Sequence, residues 1–436
     1  MQGQRPRDEG QRAKWTITDL RTSLLPSRFM SSTASAHSDS RSGGGAAPEA
    51  AGNPAAASAN GAAADPSGRP AARATERTEA APAASLAAEL PDDVLLGWLR
   101  DMLLIREFEV RTMQAYQEKK IGGFCHVYIG QEAVAVGCTA AIERRDPMVT
   151  AYRDHGHALA RGMDPRHCMA EMFGRIGGCA KGKGGSMHMF DKANNLFGGH
   201  GIVGAQTPLG AGLAFATKYE DEVIEGRRSD RVTLCFLGDG ALNQGAFHEA
   251  KNLAGLLDLP VIFVVENNGY SMGTSISRGT TMGHDISVKA AGYGIEAAVI
   301  DGMDVMTVYD AMKPLVDRCR ATSRPAFVDM RTYRYKGHSM SDPRKYRTRA
   351  EEEQYEASDP IGRLAAWLES SRGFSKQRYD ELAREVRQQV RDCVKWAEAS
   401  PEPPIEELYT DVYVERFGPY LGTSPPQMLR DGADEA

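Results

Sequence analysis

The chain has 436 residues, of which 42% are hydrophobic and 25% charged, as is usual for globular enzymes. Its 52 basic and 58 acidic residues give a net charge of -6, so no basic excess is available to neutralise nucleic-acid phosphates. The apolar runs are far shorter than the ~20 residues of a membrane-spanning helix. The seven cysteines have no CxxC spacing and suggest neither a zinc site nor a redox pair. We therefore expect no nucleic-acid or membrane partner, and a reducing compartment.

The first 85 residues consist mainly of Ala, Gly, Pro, Ser and Arg, with few branched apolar side chains. Such a segment cannot bury enough surface to offset its ordering entropy, so we predict a disordered arm at residues 1–85. A catalytic domain at residues 86–420 and a tail at 421–436 follow it. Basic residues near the start are interrupted by acids, which is not typical of a targeting peptide. We expect a bacterial cytoplasmic protein, with the mitochondrial matrix as the alternative.

Pro91 and Asp92 precede a stretch from Val94 to Tyr116 in which apolar residues recur at helical spacing, and Gly122-Gly123 ends the run, which predicts a long helix with one buried face. Further along, continuous apolar runs alternate with helical patterns. The predicted strands are Val232–Leu237, Val261–Val265, Ala297–Ile300 and Ala326–Thr332, with a helix at Gln244–Leu257 and a charged helical cover at Asp359–Glu398. This alternation predicts an α/β fold, in which a parallel sheet carries helices on both faces.

Ligands of such folds bind at the carboxyl ends of the strands. Gly238-Asp239-Gly240 follows the first predicted strand, and Asn267-Asn268-Gly269-Tyr270 follows the second. A carboxylate and an amide oxygen from adjacent strand ends can meet at one hard cation such as Mg²⁺. The adjacent glycines allow close approach of a diphosphate. Taken separately, Asp239 also fits a helix N-cap and Asn268 a turn residue.

Gly177 to Lys183 satisfies the first part of a P-loop motif. However, Gly184 stands where that motif needs a magnesium-binding Ser or Thr, and the segment before Gly177 has a helical rather than a strand pattern. The nucleotide-switch hypothesis that depends on this motif is therefore disfavoured.

Gly-Asp-Gly, a helix, an apolar strand and Asn-Asn in this order resemble the fingerprint of the thiamine-diphosphate enzymes. Within that group the chain resembles the alpha subunits of the 2-oxoacid dehydrogenases, and specifically those of the pyruvate type, from about Leu95 to Ala397. The blocks that carry this resemblance are Thr150–Gly156, Gly177–Met189, Gly201–Gln206 and Thr332–Pro343. The resemblance implies the thiamine-diphosphate-binding fold.

The resemblance also implies roles for individual residues. Asp239, Asn268 and the main-chain carbonyl of Tyr270 would hold Mg²⁺, and the other implied cofactor contacts are Tyr152, Arg153, Gly201, Val203, Gly240, Ala241, Met272 and His338. Tyr152 and Arg153 would grip the diphosphate, since a guanidinium can bond two phosphate oxygens at once. Gly201 and Val203 would hold the aminopyrimidine, and Met272 would bend the cofactor.

His126 and His338 are the implied catalytic residues, because histidine transfers protons near neutral pH. Each of the side-chain assignments has an ordinary structural alternative. Arg153 also fits a surface ion pair, Met272 a core residue, and each histidine a satisfied structural group. His155, His157, His188 and His200 also lie in or beside the matched blocks, and no role is assigned to them.

The activity that the resemblance implies is oxidative decarboxylation of pyruvate, with acetyl transfer to a lipoyl group of the dihydrolipoyl acyltransferase component. The glutamate that activates the cofactor belongs to a beta subunit in this family, and the chain after Pro343 is too short and too helical for a second sheet domain. An alpha2beta2 tetramer is therefore expected. There are two alternative functions. The chain could belong to an acetoin or branched-chain 2-oxoacid dehydrogenase, or it could be a non-catalytic scaffold.

The loop beside His338 contains two serines that bear on regulation. Ser339 and Ser341 lie beside His338, where mitochondrial relatives are silenced by phosphorylation, since phosphate charge beside the diphosphate would repel it. The loop here is shorter and lacks the second serine of those relatives. We therefore expect a solvated loop without kinase control.

Overall fold

A computed structural model of the chain describes residues 85–412. The predicted arm, apart from its last residue, and the predicted tail lie outside the described residues. The helices are α1 Asp92–Gln117, α2 Glu132–Ala140, α3 His155–Ala160, α4 Pro165–Met172, α5 Gln206–Tyr219, α6 Gly245–Leu256, α7 Ile276–Gly279, α8 Val305–Thr322, α9 Arg349–Glu356, α10 Pro360–Arg372 and α11 Lys376–Ala399.

The strands are β1 Met148–Ala151, β2 Leu196–His200, β3 Thr233–Gly238, β4 Val261–Asn267, β5 Tyr270–Ser271, β6 Thr274–Ser275, β7 Glu296–Asp301 and β8 Ala326–Arg331. Six of them form one sheet in the order β2-β1-β3-β4-β8-β7, with every neighbouring pair parallel. The small β5–β6 pair is antiparallel. The predicted α/β class with a parallel sheet is confirmed, and β3, β4, β7 and β8 match the four predicted strands.

Helix α1 begins after Pro91, with Asp92 and Asp93 in its first turn, where acidic side chains complement the helix dipole. Leu95 and Leu99 are fully buried on one face, as the apolar spacing predicts. Helices α10 and α11 confirm the helical C-terminal cover, and Gly373 between them adopts a left-handed conformation that ends α10.

The central strands are buried on both faces, which explains their unbroken apolar sequence. On one face, Phe236 and Val264 join the larger apolar cluster, which includes residues of α1, α2 and α8. On the other face, Phe263 and Phe327 join a second cluster with residues of α5 and α6. Successive residues of one strand thus serve opposite layers.

The order of the strands reverses direction beside β1, because the chain first adds β2 on one side of β1 and later β3 on the other. A parallel α/β sheet has its ligand crevice at such a switch point, at the carboxyl ends of the strands. The described residues contain no helix long and apolar enough to cross a membrane. All seven cysteines lie within them as free thiols.

Candidate cofactor site

The predicted site residues leave the sheet at one edge. Tyr152 follows β1, Gly201 follows β2, Asp239 follows β3, and Asn268 follows β4. The register pairs Gly238 of β3 with Glu266 of β4, so Asp239 lies one residue and Asn268 two residues beyond paired positions. The fold therefore delivers a carboxylate and an amide to the same edge from neighbouring strands, as the sequence predicts.

Asp239 is 2% exposed, and its Oδ2 has no hydrogen-bond partner among the described residues. Burial raises the pKa of this carboxyl to about 6, although the nearby Arg334 opposes the rise. A buried carboxylate oxygen without a partner is costly, and a bound cation would remove that cost. Asn268 donates from Nδ2 to Gln131 Oε1 at 3.1 Å, so the position of its amide group is set.

The loop after β4 packs tightly on the Asp239 turn. A Cβ atom at Gly240 would lie 2.3 Å from Ser271 Oγ, so any larger residue there would require Ser271 to move. Tyr270 donates from its main-chain N to Asn268 Oδ1 at 3.3 Å, and that oxygen retains a second lone pair. Met272 adopts a left-handed backbone conformation, with φ of 53°, which is uncommon for a side chain of this type.

Arg153 is buried and donates to the carbonyls of Val127, at 2.6 Å, and His338, at 2.7 Å. Burial lowers the pKa of its guanidinium. No carboxylate of the described residues lies within ion-pair distance of Arg153, so the alternative of a surface ion pair is wrong. Tyr152 lies beside it, with its ring 4.7 Å from that of His126.

Two further arginines are buried, Arg334 near Arg153 and Arg347 near Arg334. Arg334 is 1% exposed, and burial together with the charges of Arg153 and Arg347 lowers its pKa to about 10. Its Nη2 donates to the carbonyl of Met272 at 3.4 Å. Arg347 lies over the ring of Tyr333, and its Nε and Nη2 have no partner. Neither arginine has a carboxylate of residues 85–412 within ion-pair distance, so this region carries an excess of buried positive charge that suits an anion.

His126 and His338 lie together, with ring centroids 4.9 Å apart. His126 lies 2.8 Å from the carbonyl of His338 through Nδ1. Burial is the largest cause that lowers the pKa of each ring, to about 4 for His126 and about 3 for His338, and the positive charge of Arg153 adds to it. Both rings are therefore neutral at physiological pH.

The remaining predicted residues differ in their exposure. Val203 is 44% exposed and Met272 is 65% exposed, so the alternative of core packing for Met272 is wrong. Ala241 is buried. A Cβ atom at Gly201 would meet no atom of the described residues closer than 3.4 Å, so packing within the chain does not require glycine there. A glycine that the protein interior does not need is consistent with room kept for a ligand.

Comparison with known proteins identifies the family. Residues 100–406 match the family model described as dehydrogenase E1 component. The chain belongs to this family. It is similar to the pyruvate dehydrogenase E1 component subunit alpha of Rhizobium meliloti, with 48% identity over 331 residues, or 76% of this chain and 93% of the relative. The protein of the same name from Zymomonas mobilis is 50% identical over 74% of this chain and 89% of its own length. The somatic, mitochondrial form from Bos taurus is 46% identical over 73% and 79%.

Three residues of the candidate site were not predicted from the sequence, namely Arg334, Arg347 and Gln131. Arg334 lies inside the quoted block Thr332–Pro343, so its position two residues beyond a predicted strand end was an available signal. Gln131 is 1% exposed and orients Asn268, but nothing in its local sequence distinguishes it from a helix-start residue.

The glycine-rich segment that resembles a P-loop does bind an anion, and that anion is a carboxylate of the same chain. The carboxylate of Glu171, fully buried on α4, accepts four main-chain N–H groups from the glycine-rich loop. Oε2 accepts from Ala180 and Gly182 at 2.7 and 3.0 Å, and Oε1 from Gly184 and Gly185 at 2.7 and 3.1 Å. The loop is therefore filled by a side chain where a P-loop would hold phosphate.

Proposed function

We propose that the chain is the alpha subunit of a pyruvate dehydrogenase, which decarboxylates pyruvate oxidatively and transfers the acetyl group to a lipoyl group of the dihydrolipoyl acyltransferase component. The observation that carries the proposal is that Asp239 and Asn268 leave neighbouring strands at one edge of the sheet, with the buried guanidinium of Arg334, which has no ion-pair partner among the described residues, near Asp239, in a member of the dehydrogenase E1 component family. The relatives at 46–50% identity are named pyruvate dehydrogenase.

Mg²⁺ and thiamine diphosphate are the proposed cofactors. Asp239, Asn268 and the carbonyl of Tyr270 would hold Mg²⁺, and this donor set of oxygen atoms matches the preference of that ion. The unpartnered Oδ2 of Asp239 supports it. Within residues 85–412 no three His, Cys, Asp or Glu side chains cluster as a metal site. The proposed ion therefore depends on one carboxylate together with neutral oxygens and the diphosphate.

The diphosphate would lie beside Gly240 and Ala241, within reach of Tyr152 and the buried arginines. Arg153, Arg334 and Arg347 lack carboxylate partners, and their mutual repulsion is relieved when an anion binds. Gly201 and Val203 would hold the pyrimidine ring, and the strained Met272 would support the cofactor from its other side.

When bound, thiamine diphosphate supplies the electron sink for decarboxylation of a 2-oxoacid. The histidines of this chain would manage protons and orient the substrate. Because His126 donates from Nδ1 to a carbonyl, its neutral ring keeps a lone pair on Nε2, which can accept a proton. His338 would orient the substrate beside it. The aromatic rings of Tyr152 and Phe124 lie beside His126, and the ring of Phe124 stacks on that of His126 with 6.4 Å between centroids.

The site requires a second chain, in our proposal a beta subunit in an alpha2beta2 tetramer. Ile202 is 77% exposed, and it directly precedes Val203, which with Met272 is an exposed apolar residue of the proposed cofactor site. A monomer seldom leaves such side chains in solvent unless a partner or ligand covers them. We place the complex in the bacterial cytoplasm, with the mitochondrial matrix as the alternative.

The experiment is reconstitution. The chain is purified alone and with its cognate beta subunit, and decarboxylation is measured with pyruvate, thiamine diphosphate and Mg²⁺. We expect turnover only in the complex, with pyruvate preferred over 2-oxoisovalerate and acetoin. Turnover by the chain without a partner would refute the two-subunit site, and a preference for 2-oxoisovalerate or acetoin would support the alternative dehydrogenases.

A further inference from the structure

Glu109 and His155 form a fully buried ion pair next to the proposed site. His155 Nδ1 lies 2.9 Å from Glu109 Oε1 and 3.0 Å from Oε2. Its Nε2 lies 2.8 Å from the carbonyl oxygen of Ser186, which can only accept. Burial opposes the charged ring, but the charges of Glu109 and Asp154 and the hydrogen bonds to Glu109 and Ser186 together outweigh it, and the pKa of His155 is raised. Because Nδ1 faces a carboxylate and Nε2 faces a carbonyl oxygen, this geometry favours the doubly protonated, positively charged ring.

Ser186 connects this pair to the main chain of His126. The Oγ atom of Ser186 lies 2.9 Å from His155 Nε2 and accepts from the main-chain N–H of His126 at 3.2 Å. Ser186 is 3% exposed. The order Glu–His–Ser resembles a nucleophile triad, but an imidazolium has no lone pair with which to take the serine proton. The arrangement is suited to holding His126 in place.

The ends of this chain of contacts are anchored. Glu109 Oε1 also accepts from the main-chain N–H of Tyr128 at 2.7 Å, two residues beyond His126. Ser186 directly follows the loop that wraps the Glu171 carboxylate, so its own backbone is held from the other side. The main chain around His126 is thus tied at residues 126 and 128 to groups that are buried and charged or hydrogen-bonded.

We propose that Glu109, His155 and Ser186 are positioning residues, which hold the main chain of His126 so that its ring meets the substrate in one orientation. The inference rests on the proposed role of His126 in proton transfer. His155 also places a positive charge near His126, which disfavours protonation of that ring.

The test uses the complex with the beta subunit and three variants. His155→Asn retains a donor near Glu109 and loses the bond to Ser186, whereas His155→Gln retains a donor near Ser186 and loses Glu109. Ser186→Ala removes the acceptor of the His126 N–H and keeps the charged ring. His284→Asn, at an exposed histidine, is the matched control.

We expect kcat to fall about 10- to 100-fold in the three variants, since small misplacements of a catalytic group cost this much. The KM for thiamine diphosphate should stay within about twofold of wild type. The acid limb of the kcat/KM profile should move to higher pH in both His155 variants, which lose the charge, and stay in place in Ser186→Ala. A purely structural role would not produce this difference.

A readout without turnover separates this inference from the proposed function. Diethyl pyrocarbonate modification of His126, followed by peptide mass spectrometry, should be faster in the three variants than in wild type and in His284→Asn. Unchanged modification rates together with wild-type kcat would overturn the positioning role. A wild-type complex that does not act on pyruvate would refute the proposed function, while the modification rates would still decide the positioning of His126.

Discussion

His126 donates from Nδ1 to the main-chain carbonyl of His338 at 2.8 Å. The same carbonyl accepts from Arg153 at 2.7 Å, so a loop carbonyl joins the histidine pair to a buried guanidinium. This contact selects one tautomer of neutral His126 and leaves Nε2 as the acceptor. The conformation of the His338 loop thereby decides which nitrogen of His126 is available for chemistry.

The depressed histidine pKa values predict how stability changes with pH. The pKa of His126 is lowered from 6.5 to about 4 and that of His338 to about 3, so below pH 6.5 the unfolded chain binds more protons than the folded one. The stability they contribute is present above pH 6.5 and is lost as pH falls through about 4. We expect urea unfolding to weaken between pH 6.5 and 4, by at most about 1.4 kcal/mol per histidine and pH unit.

His126→Gln and His338→Gln should each flatten that dependence, while His284→Gln, at an exposed position, should not. If the slope of unfolding free energy against pH were unchanged in both His126→Gln and His338→Gln, the two rings would not be held neutral by burial.

Substitution of Asp239 should raise the stability of the metal-free chain and abolish its stabilisation by the cofactors. Its pKa is raised to about 6, so the stability of its neutral form is present below 3.8 and lost as pH rises through about 6. Without metal, Asp239→Asn should therefore stabilise the chain at pH 7.5, by on the order of 1–3 kcal/mol. The variant should lose the thermal shift that Mg²⁺ with thiamine diphosphate gives the wild type. Asp317→Asn, at an exposed helix position, is the control, and a retained thermal shift in Asp239→Asn would count against the cation site.

Arg334 tests the anion site. Arg334→Met should weaken binding of inorganic pyrophosphate with Mg²⁺ by about tenfold or more, as is usual for loss of a charge-assisted hydrogen bond. Its unfolding midpoint should change little, because the substitution also relieves repulsion from Arg153 and Arg347. Arg331→Met, at an exposed position three residues away, should bind normally in the same calorimetric titration. Equal affinities for the two variants would show that Arg334 does not contact the anion.

The Glu171 carboxylate predicts the behaviour of the glycine-rich loop. In Glu171→Gln an amide NH₂ group replaces one of the two carboxylate oxygens and faces main-chain N–H groups. Because two donors cannot pair, we expect a loss of about 2–4 kcal/mol of unfolding free energy. Hydrogen exchange of residues 180–185 should be faster than in wild type. Glu369→Gln, on the exposed face of α10, provides the comparison. Unchanged exchange in the loop would mean that its backbone does not depend on the carboxylate.

The sequence predicted the central strands because β3, β4 and β8 are buried on both faces and are therefore continuously apolar. It missed β1, which has only four residues, and β2, which contains two glycines. The placement of Asp239 and Asn268 at one edge of the sheet was predictable, since residues that directly follow neighbouring parallel strands share an edge.

The buried arginines were not predictable in the same way. Arg334 and Arg347 are functional candidates because they are buried and no carboxylate of the described residues lies within ion-pair distance of them. That property depends on the tertiary fold and leaves no local pattern in the sequence. The same limit applies to Glu171, whose carboxylate meets a loop 9 to 14 residues further along the chain. His155 was in a quoted block, but its two donated bonds emerge only once Glu109 and Ser186 are brought to it by the fold.

The exposed apolar side chains of Ile202, Val203 and Met272 have a consequence for biosynthesis. A chain made in excess of the proposed beta subunit would offer these side chains to other copies and to chaperones. Matched synthesis of the two polypeptides would then govern the yield of intact complex in the cell.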